Sequence, residues 1–240
     1  MGVTGDAGKG LLIDEPQRQD PRCPDNGLLH FGDWEGTFES PVHNNKDLYK
    51  APCFLANLRD VRNPKCSGDV QVVVKFVYNH SGTYGTATHE FLYDLELAPR
   101  LYSAVNLHRG LVMVVMEHLA FREGIGGWVE LDTFEKRLGD KADAVRKKLE
   151  EIIDHLQKHN MVHADLRPKN IMVAVDGQRG MTSELILKVI DFDWAGTVGE
   201  VRYPPLLNPH IQWPSGAKGY AKVGGGDDLI LLNNWWPTFV

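Results

Sequence analysis

The sequence predicts an α+β fold, with strands gathered in the first half of the chain and helix prominent in the second. Residues 70–77 form a β-branched, apolar run that has the composition of a buried strand, and residues 111–116 form another. Within residues 131–159, apolar positions recur at intervals of three and four, with charged residues between them. That periodicity is typical of an amphipathic helix with a solvated charged face.

Composition and charge narrow the class of protein. The 240 residues are 42% hydrophobic and 24% charged, which suits one large domain or two small lobes. The net charge of −6 argues against a nucleic-acid partner, which would require a basic surface. We also expect no membrane partner, because no apolar run is long enough to span a bilayer. Three unpaired cysteines and the lack of a secretory signal predict a cytoplasmic protein, with the nucleus as the alternative compartment.

The elements before the central helix can be taken in order. Residues 1–45 are predicted to be an N-terminal extension, partly disordered, because they are rich in Gly, Pro and polar residues. Aromatic residues within them, between positions 31 and 38, are spaced as in a short sheet segment. The following elements are a strand at 48–58, a loop at 59–69, the strand at 70–77, a loop at 81–88, a helix at 89–97, and strands at 101–105 and 111–116.

The second half begins with a flexible, glycine-rich break at 124–127 and continues with the amphipathic helix. Two strands follow at 171–175 and 185–190, joined by a turn at Asp176-Gly177, and the last segment, 227–240, predicts one short helix.

The residues suited to chemistry lie in one stretch, 161–173, and at one site beyond it. His163, Asp165 and Asn170 stand at fixed offsets between the helix and a strand, and Asp191 closes the apolar run at 185–190. Phosphoryl transfer needs a carboxylate that accepts or orients the proton of the attacking hydroxyl. It also needs a carboxylate and a carboxamide that hold magnesium against nucleotide phosphates. These side chains supply that set.

The pattern resembles the H-x-D-x-x-x-x-N catalytic loop and the D-F-G turn of the protein kinase superfamily, over residues 70–193. The resemblance implies a bilobal fold with an antiparallel-sheet N-lobe and a truncated, mainly helical C-lobe. It places the N-lobe and hinge at 46–120 and the C-lobe, with the catalytic loop and a Trp-rich tail, at 121–240. The implied cofactors are ATP and Mg²⁺.

The same resemblance assigns roles in the catalytic loop and the D-F-G turn. Asp165 matches the catalytic base, and Asn170 and Asp191 match the magnesium ligands. Arg167 stands where these kinases usually carry a lysine that touches the transferred phosphate, and its planar fork suits a phosphate clamp. His163 would pack beneath the loop.

Nucleotide contacts are implied earlier in the chain. Lys75 matches the lysine that pairs with the α- and β-phosphates, and Glu90 matches the helix acid that fixes that lysine. Met116 would sit behind the adenine, and the backbone groups of Glu117 and Leu119 would hydrogen-bond to the edge of the base.

The sequence departs from the family pattern in three places. No glycine-rich loop precedes Lys75, Asp193 replaces the D-F-G glycine, and no A-P-E motif follows. The run 191–195 looks more like the aminoglycoside and choline kinase branch. The pattern as a whole is similar to divergent kinase-like proteins that are numerous in mushroom-forming fungi.

Three functions follow as hypotheses. The first is an ATP-dependent transfer of the γ-phosphate to a Ser or Thr hydroxyl of a protein, since the residues with chemical roles are all kept. The second is a small-molecule kinase, and the third is a non-catalytic nucleotide-binding or scaffold module of kinase-like shape. The acceptor, protein or small molecule, is not identified by the sequence. The aromatic residues Trp235, Trp236 and Phe239 would either cap the C-lobe or dock a partner.

Overall fold

A computed structural model describes residues 28–31, 34–41, 52–60, 70–78, 84–107, 110–178 and 180–240. The chain forms two compact units, residues 1–75 and residues 76–240. Among the described residues, no helix combines the length and the apolar character that crossing a membrane requires.

The first unit is an antiparallel sheet in which consecutive strands pair. Its strands are β1 (Leu28–Phe31), β2 (Trp34–Pro41), β3 (Cys53–Asp60) and β4 (Val70–Tyr78), the last of which runs on into the second unit. The strand predicted at 70–77 is therefore confirmed. Within the predicted extension, residues 28–31 and 34–41 are strands, whereas residues 1–27 and 42–45, like the loop residues 61–69, lie outside the described part of the chain.

The second unit begins with α1 (Thr86–Asp94), β5 (Leu101–Asn106) and β6 (Leu111–Glu117), and β5 and β6 pair antiparallel. Both strands were predicted. The helix predicted at 89–97 is shifted, because it begins three residues earlier and ends at Asp94. Glu96 has a φ of 63°, a left-handed conformation that the helix cannot continue through.

A small sheet follows β6 in the chain, and two of its four strands confirm the strands predicted at 171–175 and 185–190. It has the strand order β11 (Leu187–Val189), β10 (Ile171–Val175), β8 (Gly126–Glu130), β7 (Phe121–Arg122). The flexible break predicted at 124–127 was wrong, because Gly126 and Gly127 belong to β8. A Cβ at Gly127 would lie 2.1 Å from the Ala120 carbonyl oxygen, so glycine permits the close approach that makes the β7–β8 hairpin.

The predicted amphipathic helix is confirmed as α2 (Ala142–Lys158), although its first part is different. Residues 131–134 and 139–141 form separate 3₁₀ turns, and Lys136 between them has a φ of 56° that breaks the helical path. The buried stripe of α2 consists of Val145, Leu149, Ile152, Ile153 and Leu156.

Residues 161–173, called the catalytic loop here after the pattern that they resemble, begin at β9 (Met161–Val162), which pairs with β12 (Gly196–Thr197). The last element is α3 (Asp227–Phe239). Residues 198–226, here called the connecting segment, join β12 to α3. Its buried residues Tyr203 and Val223 form a core with Val162 and Ala164, so the segment packs directly on the catalytic loop.

Candidate functional site

The stretch 163–170 brings the side chains of Asp165, Arg167 and Asn170 into one largely buried group. Asp165 is only 6% exposed, and the Arg167 guanidinium donates to both of its oxygens, through Nε at 2.5 Å and Nη2 at 2.7 Å. Asn170 donates from Nδ2 to the Asp165 carbonyl at 2.8 Å and to its Oδ2 at 2.9 Å. The structure therefore brings three of the predicted site residues together.

The charge on Asp165 is set by opposing influences. Burial raises the pKa of its carboxyl above the ordinary value, and the nearby Asp191 carboxylate acts in the same direction. The hydrogen bonds and the positive charge of Arg167 lower it, as does the bond from Asn170. The Asp191 effect also places this second acid within electrostatic range of the base candidate.

His163 has a structural position, as predicted. Its Nδ1 accepts a hydrogen bond from the Asp165 backbone N–H at 3.3 Å, so the ring proton resides on Nε2, which donates to the Ile190 carbonyl at 3.1 Å. The Ile190 N–H in turn donates to the Asn170 carbonyl at 2.9 Å. The imidazole thus ties the loop to the residue immediately before Asp191.

Asp228, which the sequence analysis missed, anchors the same loop from below. It is 2% exposed in the first turn of α3, and its oxygens accept the backbone N–H groups of His163 at 2.7 Å and Ala164 at 2.8 Å. Burial raises the pKa of Asp228 to about 6, against the lowering effect of those two donors. An acidic residue in the first turn of a helix is ordinarily exposed and interacts favourably with the helix dipole. The sequence therefore gave no indication that Asp228 is a buried hydrogen-bond acceptor.

The turn at 191–193 is held by an aromatic column. Phe192 is fully buried, stacks on His89 of α1 at 4.3 Å between ring centroids, and meets the His163 ring edge-on at 5.1 Å. Gly85, just before α1, donates its N–H to the Phe192 carbonyl at 3.1 Å. A Cβ at Gly85 would lie 2.8 Å from that oxygen, so glycine is required there. Asp191 has a φ of 70°, whereas Asp193 is not in the left-handed region, so a side chain at this third position fits the observed turn.

His89 is a buried histidine that we expect to control stability at acidic pH. Its Nε2 donates to the Pro99 carbonyl at 2.8 Å and Nδ1 faces the Tyr84 hydroxyl at 3.0 Å, while burial lowers its pKa to about 4. A histidine with a depressed pKa contributes stability above pH 6.5 that is lost as the pH falls towards 4, here about 3 kcal/mol. Equilibrium denaturant unfolding between pH 4 and 7 measures this contribution as the difference between wild type and His89→Gln.

The exposed His210→Gln is the matched control and should track the wild type throughout. The stability of each variant must be compared with that of the wild type, because Asp228 titrates in the same pH range with the opposite sign. Its raised pKa gives a stability contribution that is lost as the pH rises from about 4 to about 6. A constant stability difference between wild type and His89→Gln across this range would contradict the buried, neutral state of His89.

The predicted hinge residues lie where β6 ends. Met116 is buried, and Glu117 is fixed on both its backbone and its side chain. Its N–H donates to the Arg100 carbonyl at 2.8 Å, and its Oε2 accepts from Lys188 Nζ at 3.1 Å and from the Arg100 N–H at 3.0 Å. Within the described residues, the backbone of Leu119 takes part in no hydrogen bond.

The predicted lysine and its acid lie on different elements. Lys75 is on β4, opposite Cys53 of β3, and is 8% exposed. Glu90 is exposed on α1, whose buried positions are Thr88, His89 and Leu92. The pairing of Lys75 with Glu90 stays a prediction.

The aromatic residues near the end of the chain form part of the core of the second unit. Trp236 and Phe239 are buried, and Trp235 donates from Nε1 to the carbonyl of Leu166 in the catalytic loop at 3.0 Å. Of the two roles that the sequence left open, these contacts favour capping over docking of a partner.

Comparison with known proteins identifies the fold. No protein-family model matches the chain, and no curated protein matches it. The structure is similar to that of the kinase PK-1 of Cydia pomonella granulovirus, with a TM-score of 0.50 and 17% sequence identity. The match covers 86% of this chain and 65% of the viral kinase, so the chain spans about two thirds of that protein. At this identity the likeness shows the fold, and it has no bearing on the predicted similarity to fungal proteins. The predicted α+β, bilobal kinase-like fold is confirmed.

Proposed function

We propose that the protein is an ATP- and magnesium-dependent phosphotransferase that transfers the γ-phosphate to a hydroxyl, with a protein Ser or Thr as the preferred acceptor. The observation that carries this proposal is the buried group of Asp165, Arg167 and Asn170 beside Asp191, on a kinase-like fold. A carboxylate, a guanidinium and a carboxamide at these offsets are the side chains that phosphoryl transfer uses.

We assign to Asp165 the role of accepting or orienting the proton of the attacking hydroxyl. Its ionised form is the useful one, and Arg167 supports that form by donating to both oxygens. Two N–H groups of the guanidinium make these bonds, which leaves the other edge of the planar fork for phosphate oxygens. Arg167 can therefore orient the base and hold the transferred group.

Asn170 and Asp191 are the residues that would hold magnesium. Asn170 donates both of its side-chain hydrogen bonds from Nδ2 to Asp165, and no described residue donates to its Oδ1. That oxygen is therefore available to a cation. In the described part of the chain, no group of three or more His, Cys, Asp or Glu side chains could hold a metal ion. Magnesium is compatible with this sparse set, because it is usually held by one or two protein oxygens together with phosphates and water. When bound, the ion neutralises charge on the phosphates.

The nucleotide itself is assigned to Lys75, Glu90 and the hinge. Lys75 would pair with the α- and β-phosphates, with Glu90 as its counter-charge. Met116 would lie behind the adenine. The Leu119 backbone supports a role at the edge of the base, because its N–H and carbonyl make no hydrogen bond with described residues, and Glu117 would contribute its carbonyl.

A small-molecule acceptor is the second candidate, favoured by the run Asp191–Ala195 with its aspartate in place of glycine. Purified protein with Mg-ATP, offered generic protein acceptors beside aminoglycosides, choline and sugars, separates the two by where labelled phosphate appears. Label on small molecules alone would exclude the protein-kinase form of the proposal.

The test of the proposed chemistry uses Lys75→Met and Asp191→Ala beside wild type. We expect transfer to fall by roughly a hundredfold or more in each, because each loses charge stabilisation of the phosphates. Lys147→Met, on the exposed face of α2, is the matched control and should keep wild-type activity. A wild-type protein that neither transfers phosphate nor gains thermal stability with millimolar Mg-ATP would instead support a non-catalytic module.

A further inference from the structure

Trp213, in the connecting segment, lies against the catalytic loop at Arg167. The Arg167 Cζ is 5.7 Å from the centroid of the Trp213 ring, within the range of a cation–π interaction. Arg167 is only 16% exposed, so this contact is weakened little by solvent. No local pattern in the sequence indicates a role for Trp213, and the proposed phosphate transfer does not involve its side chain directly.

The Trp213 ring has a scaffold of its own. Its Nε1 donates to the Asn208 carbonyl at 2.9 Å, and the rings of Trp194 and Tyr203 each lie 5.9 Å away. Tyr203 is buried in the core that joins the connecting segment to the catalytic loop. The indole is therefore held in place independently of Arg167, and it can restrict the movement of a side chain that packs against it.

The guanidinium of Arg167 requires such a restraint on its position. It ends a flexible three-carbon stem, and holding it in one geometry costs side-chain entropy. Asp165 fixes one edge of the guanidinium plane, through Nε and Nη2, and the Trp213 ring, over which Cζ lies, restricts movement towards that side. Small displacements of a clamping group are costly in phosphoryl transfer, because the reacting atoms must be in line.

We propose that Trp213 is a positioning residue, whose ring holds the Arg167 guanidinium against Asp165 and so couples the folding of the connecting segment to the alignment of the base. The inference rests on the proposed phosphotransferase function for its kinetic consequence, but not for the contact itself. It assigns the connecting segment a part in catalysis through Arg167, without any contact with substrate.

Two readouts test it on the full-length protein. In kinetics with Mg-ATP and myelin basic protein, Trp213→Leu should lower kcat by roughly twofold to thirtyfold, the span of a cation–π contact, with KM for ATP unchanged. Trp213→Phe, which keeps an aromatic face, should recover much of the loss. In ¹⁵N-arginine spectra, the Nε–H resonance that disappears in Arg167→Lys should shift in Trp213→Leu, because the ring current is removed, and should exchange faster with water.

A double-mutant cycle separates positioning from general packing. In an Arg167→Gln background, Trp213→Leu should have almost no further effect on kcat, since the cation it orients is gone. Trp128→Leu is the matched control, because it removes a tryptophan whose ring lies 5.3 Å from a different cation, Lys188 Nζ. It should leave the Arg167 resonance in place.

The outcomes distinguish the positioning role of Trp213 from the proposed phosphotransferase function. An active wild type with unchanged kcat and an unmoved Arg167 resonance in Trp213→Leu would overturn the inference, and so would equal losses of kcat in both backgrounds. A wild type inactive towards every acceptor would overturn the proposed function, and the Arg167 resonance alone would then decide whether Trp213 positions the guanidinium.

Discussion

Replacing Asp165 with asparagine is expected to lower the turnover number by roughly a factor of 10² to 10⁴, the usual contribution of a general base. Asparagine has nearly the same shape but cannot take the proton of the hydroxyl. Its amide group would also meet the N–H groups of Arg167, which now donate to two carboxylate oxygens. The affinity for Mg-ATP should stay within about threefold of the wild type, because Asp165 is assigned no nucleotide contact. Steady-state transfer kinetics and a thermal-shift titration with Mg-ATP measure the two quantities.

Asp154→Asn is a suitable control for this substitution. The substitution is the same in chemistry but lies on the exposed side of α2, where Asp154 pairs with Lys158 and is 56% exposed. We expect it to leave both turnover and affinity unaltered, since exposed ion pairs contribute little. Wild-type turnover in Asp165→Asn would remove Asp165 from the role of base. Loss of Mg-ATP affinity in the same variant would indicate that Asp165 acts through the structure of the loop.

The parts of the fold that were predicted are those specified by nearby residues. The strands at 70–77 and 111–116 have a composition that suits burial whatever surrounds them, and the stripe of α2 follows from its periodicity. The β7–β8 hairpin was missed for the opposite reason. Gly126 and Gly127 indicate flexibility in a sequence, and only the approach of the Ala120 carbonyl explains why glycine stands there.

The candidate site also divides into residues that local sequence indicates and residues that it does not. Asp165, Asn170 and Asp191 could be proposed as site residues because their offsets are local and their chemistry is specific. The residues that support them were not found, because each acts over a long stretch of chain. Asp228 bonds to a backbone 65 residues away. His89 contacts the Phe192 ring, and Trp213 contacts the Arg167 guanidinium, each far away in the sequence. No local pattern distinguishes a buried aspartate that accepts two backbone N–H groups from an exposed one in the first turn of a helix.

Asp228→Ala should be the most destabilising single substitution among those considered, at about 2–6 kcal/mol in the free energy of unfolding. The substitution leaves the N–H groups of His163 and Ala164 buried without an acceptor, and each costs about 1–3 kcal/mol. Turnover should also fall, because Ala164 has a φ of 69°. That conformation is unfavourable for alanine, and it is held partly by the bond to Asp228. Once released, Ala164 can relax and displace Asp165 beside it.

Asp228→Asn should fall between the wild type and Asp228→Ala, because a carboxamide offers one acceptor oxygen where the carboxylate offers two. The matched control is Asp143→Ala, which also removes an acid from the first turn of a helix, α2, but at an exposed position. It should cost no more than the helix-dipole contribution of about 0.3–1 kcal/mol. Denaturant unfolding at pH 7.5 suits the comparison, since Asp228, with a pKa of about 6, is ionised there and accepts both N–H groups. If Asp228→Ala and Asp143→Ala lost the same stability, the two buried hydrogen bonds would not be what holds the catalytic loop, and the anchor would have to be sought in the His163–Ile190 contact instead.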